Sequence, residues 1–182
     1  PHPRETPALF FFFSAEAEFL RAFVQKRLHH AWLITGPKGV GKATLAWRIA
    51  RFLLDQPAST DAGLFGAPPP PETLDSDADS PLARRLRSLA EPRLFLLRRG
   101  PNDKETALSQ FITVDDVRKM KNFFALSAAD GGMRVAIVDA VDEMNTSSAN
   151  ALLKLLEEPP AGVIFLLISH QPAHLLPTIR SR

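Results

Sequence analysis

The residues with the clearest chemistry lie in the stretch GPKGVGKATL, from Gly36 to Leu45. A glycine-rich turn leads there into Lys42, and an apolar helical pattern follows. Glycines let backbone N–H groups turn towards phosphate oxygens, a helix N-terminus adds partial positive charge, and a lysine at this spacing reaches the terminal phosphates. The spacing predicts a phosphate-binding loop made of Gly36, Pro37, Lys38, Gly39, Val40, Gly41, Lys42, Ala43 and Thr44.

The residue after the lysine of such a loop normally supplies a hydroxyl to magnesium, and here it is Ala43. Thr44 follows one residue later. Because successive helical residues are rotated by about 100°, the Thr44 hydroxyl is expected to point away from the metal position. The sequence therefore predicts a degenerate site, which leaves ATP binding open and holds magnesium poorly.

A second chemical group is expected where another buried strand ends. The run RVAIVD ends on Asp139, so its carboxylate should emerge at the sheet edge beside the phosphate loop and is the best acidic partner for magnesium. In ATPases of this build a glutamate commonly follows that aspartate and orients the attacking water, but here the residue is Ala140. An alternative register uses Asp142 and Glu143, although it buries charged Asp139 inside the strand. Otherwise these two residues are solvated groups that open the next loop.

Four short apolar runs are the strand candidates that must position these groups. Near-continuous apolar strands are typical of a parallel sheet that is covered on both faces. The runs are AWLIT (31–35), RVAIVD (134–139), VIFLLIS (163–169) and, more weakly, RLFLL (93–97).

Helical patterns alternate with these strands, which predicts a doubly wound α/β fold. One helix is expected over 42–54, with Leu45, Ile49, Phe52 and Leu53 on one side. A second carries Ala149, Leu152, Leu153 and Leu156, with Thr146 or Ser147 as its cap and Pro159-Pro160 as its stop. A third carries Val117, Met120 and Phe124, with Asp115 or Asp116 as its cap.

Composition limits the class of protein. The chain has 182 residues, 45% of them hydrophobic, which fits one domain with a substantial core. A formal net charge of +2 gives no strong attraction to nucleic acid, and the absence of cysteine excludes disulfides and thiolate zinc sites. The apolar stretch 8–13 is too short to span a bilayer, so the chain is expected to be soluble and cytoplasmic.

Residues 55–81 differ from the rest of the chain in composition. They concentrate Pro, Asp, Ala and Ser, include four consecutive prolines at 68–71, and show neither helical nor strand periodicity. This pattern predicts a flexible surface insertion, with a polyproline recognition sequence as the alternative.

Three segments together resemble one known family, the AAA+ module of bacterial DNA polymerase III clamp-loader subunits, and among these the delta-prime family. They are HHAWLITGPKGVGKATLA, RVAIVDAVDEMNTSSANALLKLLEEPP and FLLISHQPAHLLPTIRSR. The most specific piece is NALLKLLEEPP followed by LLPTIRSR, because generic phosphate loops have no such sequel. The resemblance implies that residues 1–182 form one AAA+, RecA-like domain and that the family's lid and collar domains lie outside this sequence.

The resemblance also assigns roles to two residues near the end of the sequence. Arg182 matches the arginine that family members insert into the ATP site of a neighbouring subunit, where a guanidinium stabilises charge on the transferred phosphate. Ser169 matches a polar sensor residue near the terminal phosphate, and the alternative is an ordinary serine at the end of a strand. The family's zinc-binding cysteines have no counterpart, so no zinc module is expected.

The function implied by the resemblance is that of a largely non-hydrolysing stator. Its partners would be gamma/tau and delta subunits in a hetero-oligomer, and indirectly the sliding clamp and primed DNA, within a DNA-directed DNA polymerase (nucleotidyltransferase) complex. The alternative is an active motor subunit in which Thr44 and Glu143 supply the missing chemistry. A phosphate-loop kinase or nucleotide switch is a third class, disfavoured by the EEPP and TIRSR elements.

Further residues carry weaker signals. The pair His29-His30 lacks a third metal ligand and is expected to pack locally. There are two arginine clusters, one at 84–87 and one at 98–99. They lack interleaved aromatic residues, which favours a solvated face over a DNA site. The four phenylalanines at 10–13 fit either core packing or a partner contact.

Overall fold

The fold is organised by a parallel sheet. The computed structural model describes residues 13–57, 69–102, 104, 106–126 and 132–171. Within them four strands pair in the order β1-β4-β3-β2, and every pairing is parallel. The strands are β1 (Ala31–Thr35), β2 (Leu94–Leu97), β3 (Arg134–Asp139) and β4 (Val163–Ser169). The predicted parallel α/β class is confirmed, and only β2 is one residue shorter than its apolar run.

Five helices and one short 3-10 turn connect the strands in the described residues. The turn, Val141–Glu143, follows β3 directly. The helices are α1 (Phe13–Val24), α2 (Lys42–Asp55), α3 (Pro81–Arg87), α4 (Val114–Leu126) and α5 (Thr146–Glu157).

Two apolar layers cover the two faces of the sheet. Side chains alternate along β3, so that Val135 and Ile137 face α1, α2 and α3, whereas Ala136 and Val138 face α4 and α5. The alternation is the period of two that a strand imposes, and both faces are apolar because both are covered by helices. Each fully buried aliphatic side chain contributes roughly 1.5–3 kcal/mol to folding.

Helix α2 is buried on all sides, which differs from the one-sided pattern predicted from the sequence. Even Trp47 and Arg48, on its outer side, are nearly inaccessible. The reason is a second shell of chain on that side, because Phe19 of α1 and Leu82 of α3 join the same core. The helix that carries the phosphate-loop lysine is therefore held rigidly against the sheet.

The caps of α4 and α5 differ from the predicted ones by one to three residues. Asn145 caps α5 by accepting the Ser148 N–H at 2.9 Å, so Thr146 is the first helical residue and not the cap. In α4 the Thr113 hydroxyl accepts the Asp116 N–H at 3.2 Å, and the Asp116 carboxylate accepts the Thr113 N–H at 3.0 Å. This is the reciprocal capping box, in which Asp116 is the partner and not the cap.

Part of the Pro/Asp-rich segment packs against the body of the domain. Leu74 is only 2% exposed and joins the core beside α2. Asp75 accepts a hydrogen bond from Arg48, which also binds Glu16 of α1. Residues 69–80 are thus anchored by one apolar and one charged contact, although they form no helix or strand.

Candidate functional site

The glycine loop lies between the end of β1 and the start of α2, at the carboxyl edge of the sheet. Gly39 and Gly41 adopt positive φ angles of 84° and 96°, a region that residues with a Cβ rarely occupy. Gly41 is also the N-cap residue of α2 and makes no side-chain cap. Because glycine has no side chain that could accept from the first N–H groups of α2, these groups can point towards an anion.

Lys42 is drawn into the protein. It is 3% exposed, and its ammonium donates a hydrogen bond to the Pro37 carbonyl of the same loop. Burial lowers the pKa of Lys42, and the charges of Asp142 and then Asp139 act in the opposite direction. The lysine charge is thus held at the sheet edge between the loop and two carboxylates, where it can meet a phosphate.

The two positions after Lys42 do not offer a magnesium ligand of the usual kind. Ala43 has no hydroxyl and packs partly against the α2 core. Thr44 keeps a hydroxyl one residue later and is buried, with 8% of its surface exposed. The glycines and Lys42 suit a phosphate, whereas position 43 lacks the expected magnesium ligand. Poor magnesium binding stays a prediction.

Asp139 is the last residue of β3, as predicted from the apolar run before it. Burial raises the pKa of its carboxyl, and the charge of Glu143 adds to this, whereas His170, Arg98 and Lys42 oppose it. The carboxyl is therefore less readily ionised than an ordinary aspartate. The role of Asp139 as a magnesium ligand stays a prediction.

Ala140, at the position where a glutamate is expected in a hydrolysing domain, is 1% exposed and belongs to the core around α2. This position therefore supplies no carboxylate. The alternative register, with Asp142 and Glu143 at the strand end, is not the one that the strand pairing adopts, because Asp139 pairs in register with Ile168.

Asp142 was expected to be either an alternative acid or a solvated loop residue, and its contacts fit neither description. Its carboxylate accepts hydrogen bonds from the Ser169 hydroxyl at 2.9 Å, the His170 N–H at 2.6 Å and the Gln171 N–H at 3.3 Å. Ser169, the predicted sensor residue, is fully buried. Sequence spacing could not predict this contact, since the two residues lie far apart in the chain and meet because β3 and β4 are neighbours.

Glu143 is also engaged. Its carboxylate lies 3.1 Å from the Arg99 guanidinium at the end of β2. An active-motor interpretation needs this acid to orient water, and here the acid has a cationic partner, in a partly exposed pair. Arg98 and Arg99, read from the sequence as a solvated pair, thus lie at the same sheet edge as the candidate site.

Several other predicted residues lie away from this site or outside the described part. His30 donates to the Leu156 carbonyl at 2.9 Å and so fastens the start of β1 to α5. Arg85 of the first arginine cluster pairs with buried Glu91 at 2.8 Å. Arg182 lies outside the described residues, as do Phe10, Phe11, Phe12 and the side chain of Phe13.

A parallel α/β sheet with a glycine-rich loop at the edge of β1 and an acidic strand end two strands away defines a phosphate-loop NTPase-like domain. A family model described as DNA polymerase III, delta subunit, matches residues 14–182. The chain belongs to this family.

Similarity to individual proteins agrees with that assignment. The chain is 39% identical over 155 residues to DNA polymerase III subunit delta' of Pseudomonas aeruginosa, covering 84% of this chain and 41% of the relative. It is 31% identical over 159 residues to DNA polymerase III subunit gamma/tau of Mycobacterium bovis, covering 86% of this chain and 24% of the relative. It therefore spans less than half the length of these two relatives.

A solved structure shares the fold. It is a DNA polymerase III, gamma subunit-related protein from Thermotoga maritima, with a TM-score of 0.59 and 22% identity over 92% of this chain and 43% of that chain. At this identity the likeness supports the fold alone. Among the helices that the structure describes, none combines the length and apolar character needed to cross a bilayer.

Proposed function

We propose that this chain is the AAA+ domain of a clamp-loader subunit that acts as a stator, binding its neighbours without hydrolysing ATP itself. The observation that carries the proposal is a phosphate loop with its glycines and Lys42 in place but with Ala43 and Ala140 where the magnesium hydroxyl and the water-orienting acid belong. Loss of either group slows phosphoryl transfer strongly, because the reaction depends on a metal that stabilises the charge of the phosphate and on an acid that orients the attacking water.

Under this proposal the chain supplies a positive charge to the ATP site of a neighbouring subunit. Arg182 would enter the ATP site of a gamma/tau-like motor subunit, and the assembly, with a delta-like subunit, would open a ring-shaped clamp and place it on primed DNA in the cytoplasm. Family membership and the SR pair at 181–182 support this role. The lid and collar domains of such a subunit would belong to the longer protein.

A second candidate is an active motor subunit, which the similarity to gamma/tau proteins favours. Two observations weigh against it. Ala43 lacks the hydroxyl at the usual magnesium position, and the carboxylate of Glu143 pairs with Arg99 at 3.1 Å.

The proposal is tested by steady-state ATP hydrolysis of the full-length protein in complex with its motor subunit. Replacement Arg182→Ala is expected to lower the turnover of the complex by about 10³-fold, as for other arginine fingers supplied in trans. The matched control is Arg118→Ala, which removes an arginine that is exposed on α4. Equal turnover of the Arg182→Ala and Arg118→Ala complexes would contradict the proposal.

A further inference from the structure

The Asp142 carboxylate connects the end of β3 to the end of β4. Asp142 lies in the 3-10 turn directly after β3, and the three groups that donate to it belong to Ser169, His170 and Gln171, where β4 ends. Oδ1 accepts from the Ser169 hydroxyl and the Gln171 N–H, and Oδ2 accepts from the His170 N–H. Hydrogen bonds to an ionised acceptor are about twice as strong as neutral ones.

These bonds begin where the sheet ladder stops. The register of β3 and β4 ends with Asp139 paired to Ile168, so no strand partner holds the residues after Ser169. Without Asp142 the N–H groups of His170 and Gln171 would lose their described acceptor. The carboxylate therefore fixes the direction in which the chain leaves the sheet.

The same contact changes the role expected of Ser169. A serine hydroxyl has a single proton, and in this arrangement that proton is donated to Asp142. Ser169 therefore cannot donate to a phosphate while the contact is intact. The contact instead ties it to the turn after β3.

We propose that Asp142 is a positioning residue, which holds the end of β4, at Ser169, His170 and Gln171, in the orientation that the proposed role of Arg182 at the neighbouring subunit requires. This inference rests on the proposed function. The charge of Asp142 also opposes the lowering, by burial, of the pKa of Lys42 in the phosphate loop.

The test uses the full-length protein in complex with its motor subunit and four variants. Asp142→Asn turns one acceptor oxygen into an N–H₂ that faces the existing donors, whereas Ser169→Ala removes one donor and leaves two backbone bonds. Arg182→Ala reports on the proposed function. Asp115→Asn is the matched control, because it makes the same chemical change on the exposed surface of α4.

Asp142→Asn is expected to lower the turnover number of the complex about tenfold, with the KM for ATP unchanged, because a misplaced group costs rate rather than substrate binding. Ser169→Ala should cost at most about threefold by the same reasoning. Amide hydrogen exchange at His170 and Gln171 should be faster in Asp142→Asn than in wild type, and Asp115→Asn should match wild type in both measurements.

Three results would overturn the inference. If Arg182→Ala lowers turnover and Asp142→Asn does not, Asp142 has no positioning role, although the stator function stands. If Ser169→Ala costs as much as Asp142→Asn, the Ser169 hydroxyl carries the effect, and the backbone bonds that Asp142 accepts from His170 and Gln171 do not position the end of β4. If Arg182→Ala has no effect, the proposed function fails and the role of Asp142 fails with it.

A folding defect is separated from a positioning defect by a second variant. Asp142→Glu keeps the negative charge beside Lys42 but moves the carboxylate by one methylene. If Asp142→Asn does not fold, this variant takes its place, with the same expected loss of turnover at unchanged KM. Wild-type turnover of the Asp142→Glu complex would then contradict the inference.

Discussion

At the scale of single residues, the site is defined by two alanines. Ala43 and Ala140 stand where hydrolysing domains of this build place a hydroxyl and a carboxylate, and both pack in or against the apolar layer around α2. The chain keeps the glycines and Lys42 that suit a phosphate, but it has alanine at the positions expected to supply a metal-binding hydroxyl and a water-orienting carboxylate. The two losses are separable by mutation.

Restoring the hydroxyl is expected to restore magnesium dependence. In Ala43→Thr, ATP affinity with magnesium should exceed the affinity in EDTA by about tenfold, or about 1.4 kcal/mol, because one more ligand holds the metal. Calorimetric titration with and without magnesium measures the difference. Ala43→Val is the control, since valine has the shape of threonine without its oxygen, and an equal magnesium effect in both variants would refute the expectation.

Asp139 gives a prediction on stability against pH. Burial raises its pKa in the folded chain, so the folded state holds the proton more tightly than the unfolded state. The contribution of Asp139 to stability should therefore fall as the pH rises from the ordinary aspartate value of about 3.9 through the raised value. Urea unfolding should show Asp139→Asn more stable than wild type at neutral pH, with the difference vanishing in acid. A wild type that gains stability relative to the variant as the pH rises would contradict this.

At the scale of elements, the apolar runs were sufficient to place three strands to the residue, since parallel strands buried on both faces leave an unbroken apolar signature. The end of β3 then placed Asp139 at the sheet edge. Helix α1 left a weaker signal, because only Phe19 among its described side chains is buried. The burial of α2 on its outer side could not be predicted, since it depends on α1, α3 and Leu74, which are remote in sequence.

Caps were predicted to within a few residues, because serine, threonine, asparagine and aspartate all cap helices and several stand together before α5. The structure selects Asn145, whose replacement Asn145→Ala should lower the free energy of unfolding by about 1 kcal/mol. Chemical denaturation measures the loss. Thr146→Ala is the matched control, and a larger loss in this variant than in Asn145→Ala would mean that the predicted cap, and not Asn145, is correct.

The contacts of Asp142 and Glu143 mark the limit of sequence reasoning at this site. Spacing along one strand places Asp139, but the pairing of Asp142 with Ser169 and of Glu143 with Arg99 depends on the order of strands in the sheet. Only the neighbouring positions of β2, β3 and β4 bring these residues together. From the sequence, each acid was expected to be either an alternative catalytic acid or a solvated loop residue. In the structure each one instead contacts a neighbouring strand end.

At the scale of the whole molecule, a parallel sheet with helices on both faces carries the phosphate loop at its carboxyl edge. Under the proposed function, such a domain would keep the shape that an oligomeric ATPase needs at each position of a ring, while the chemistry would take place at its neighbours. Membership in the DNA polymerase III, delta subunit family is consistent with this division of labour. Arrival of the arginine from a separate subunit would couple hydrolysis to assembly.

The most direct measurement is steady-state ATP hydrolysis, with magnesium, by the isolated full-length protein and its Lys42→Ala variant. We predict that the two are indistinguishable and that neither hydrolyses ATP above the background of the assay. Turnover by the wild-type protein at about 1 per second or faster, abolished by Lys42→Ala, would show an active motor and contradict the account.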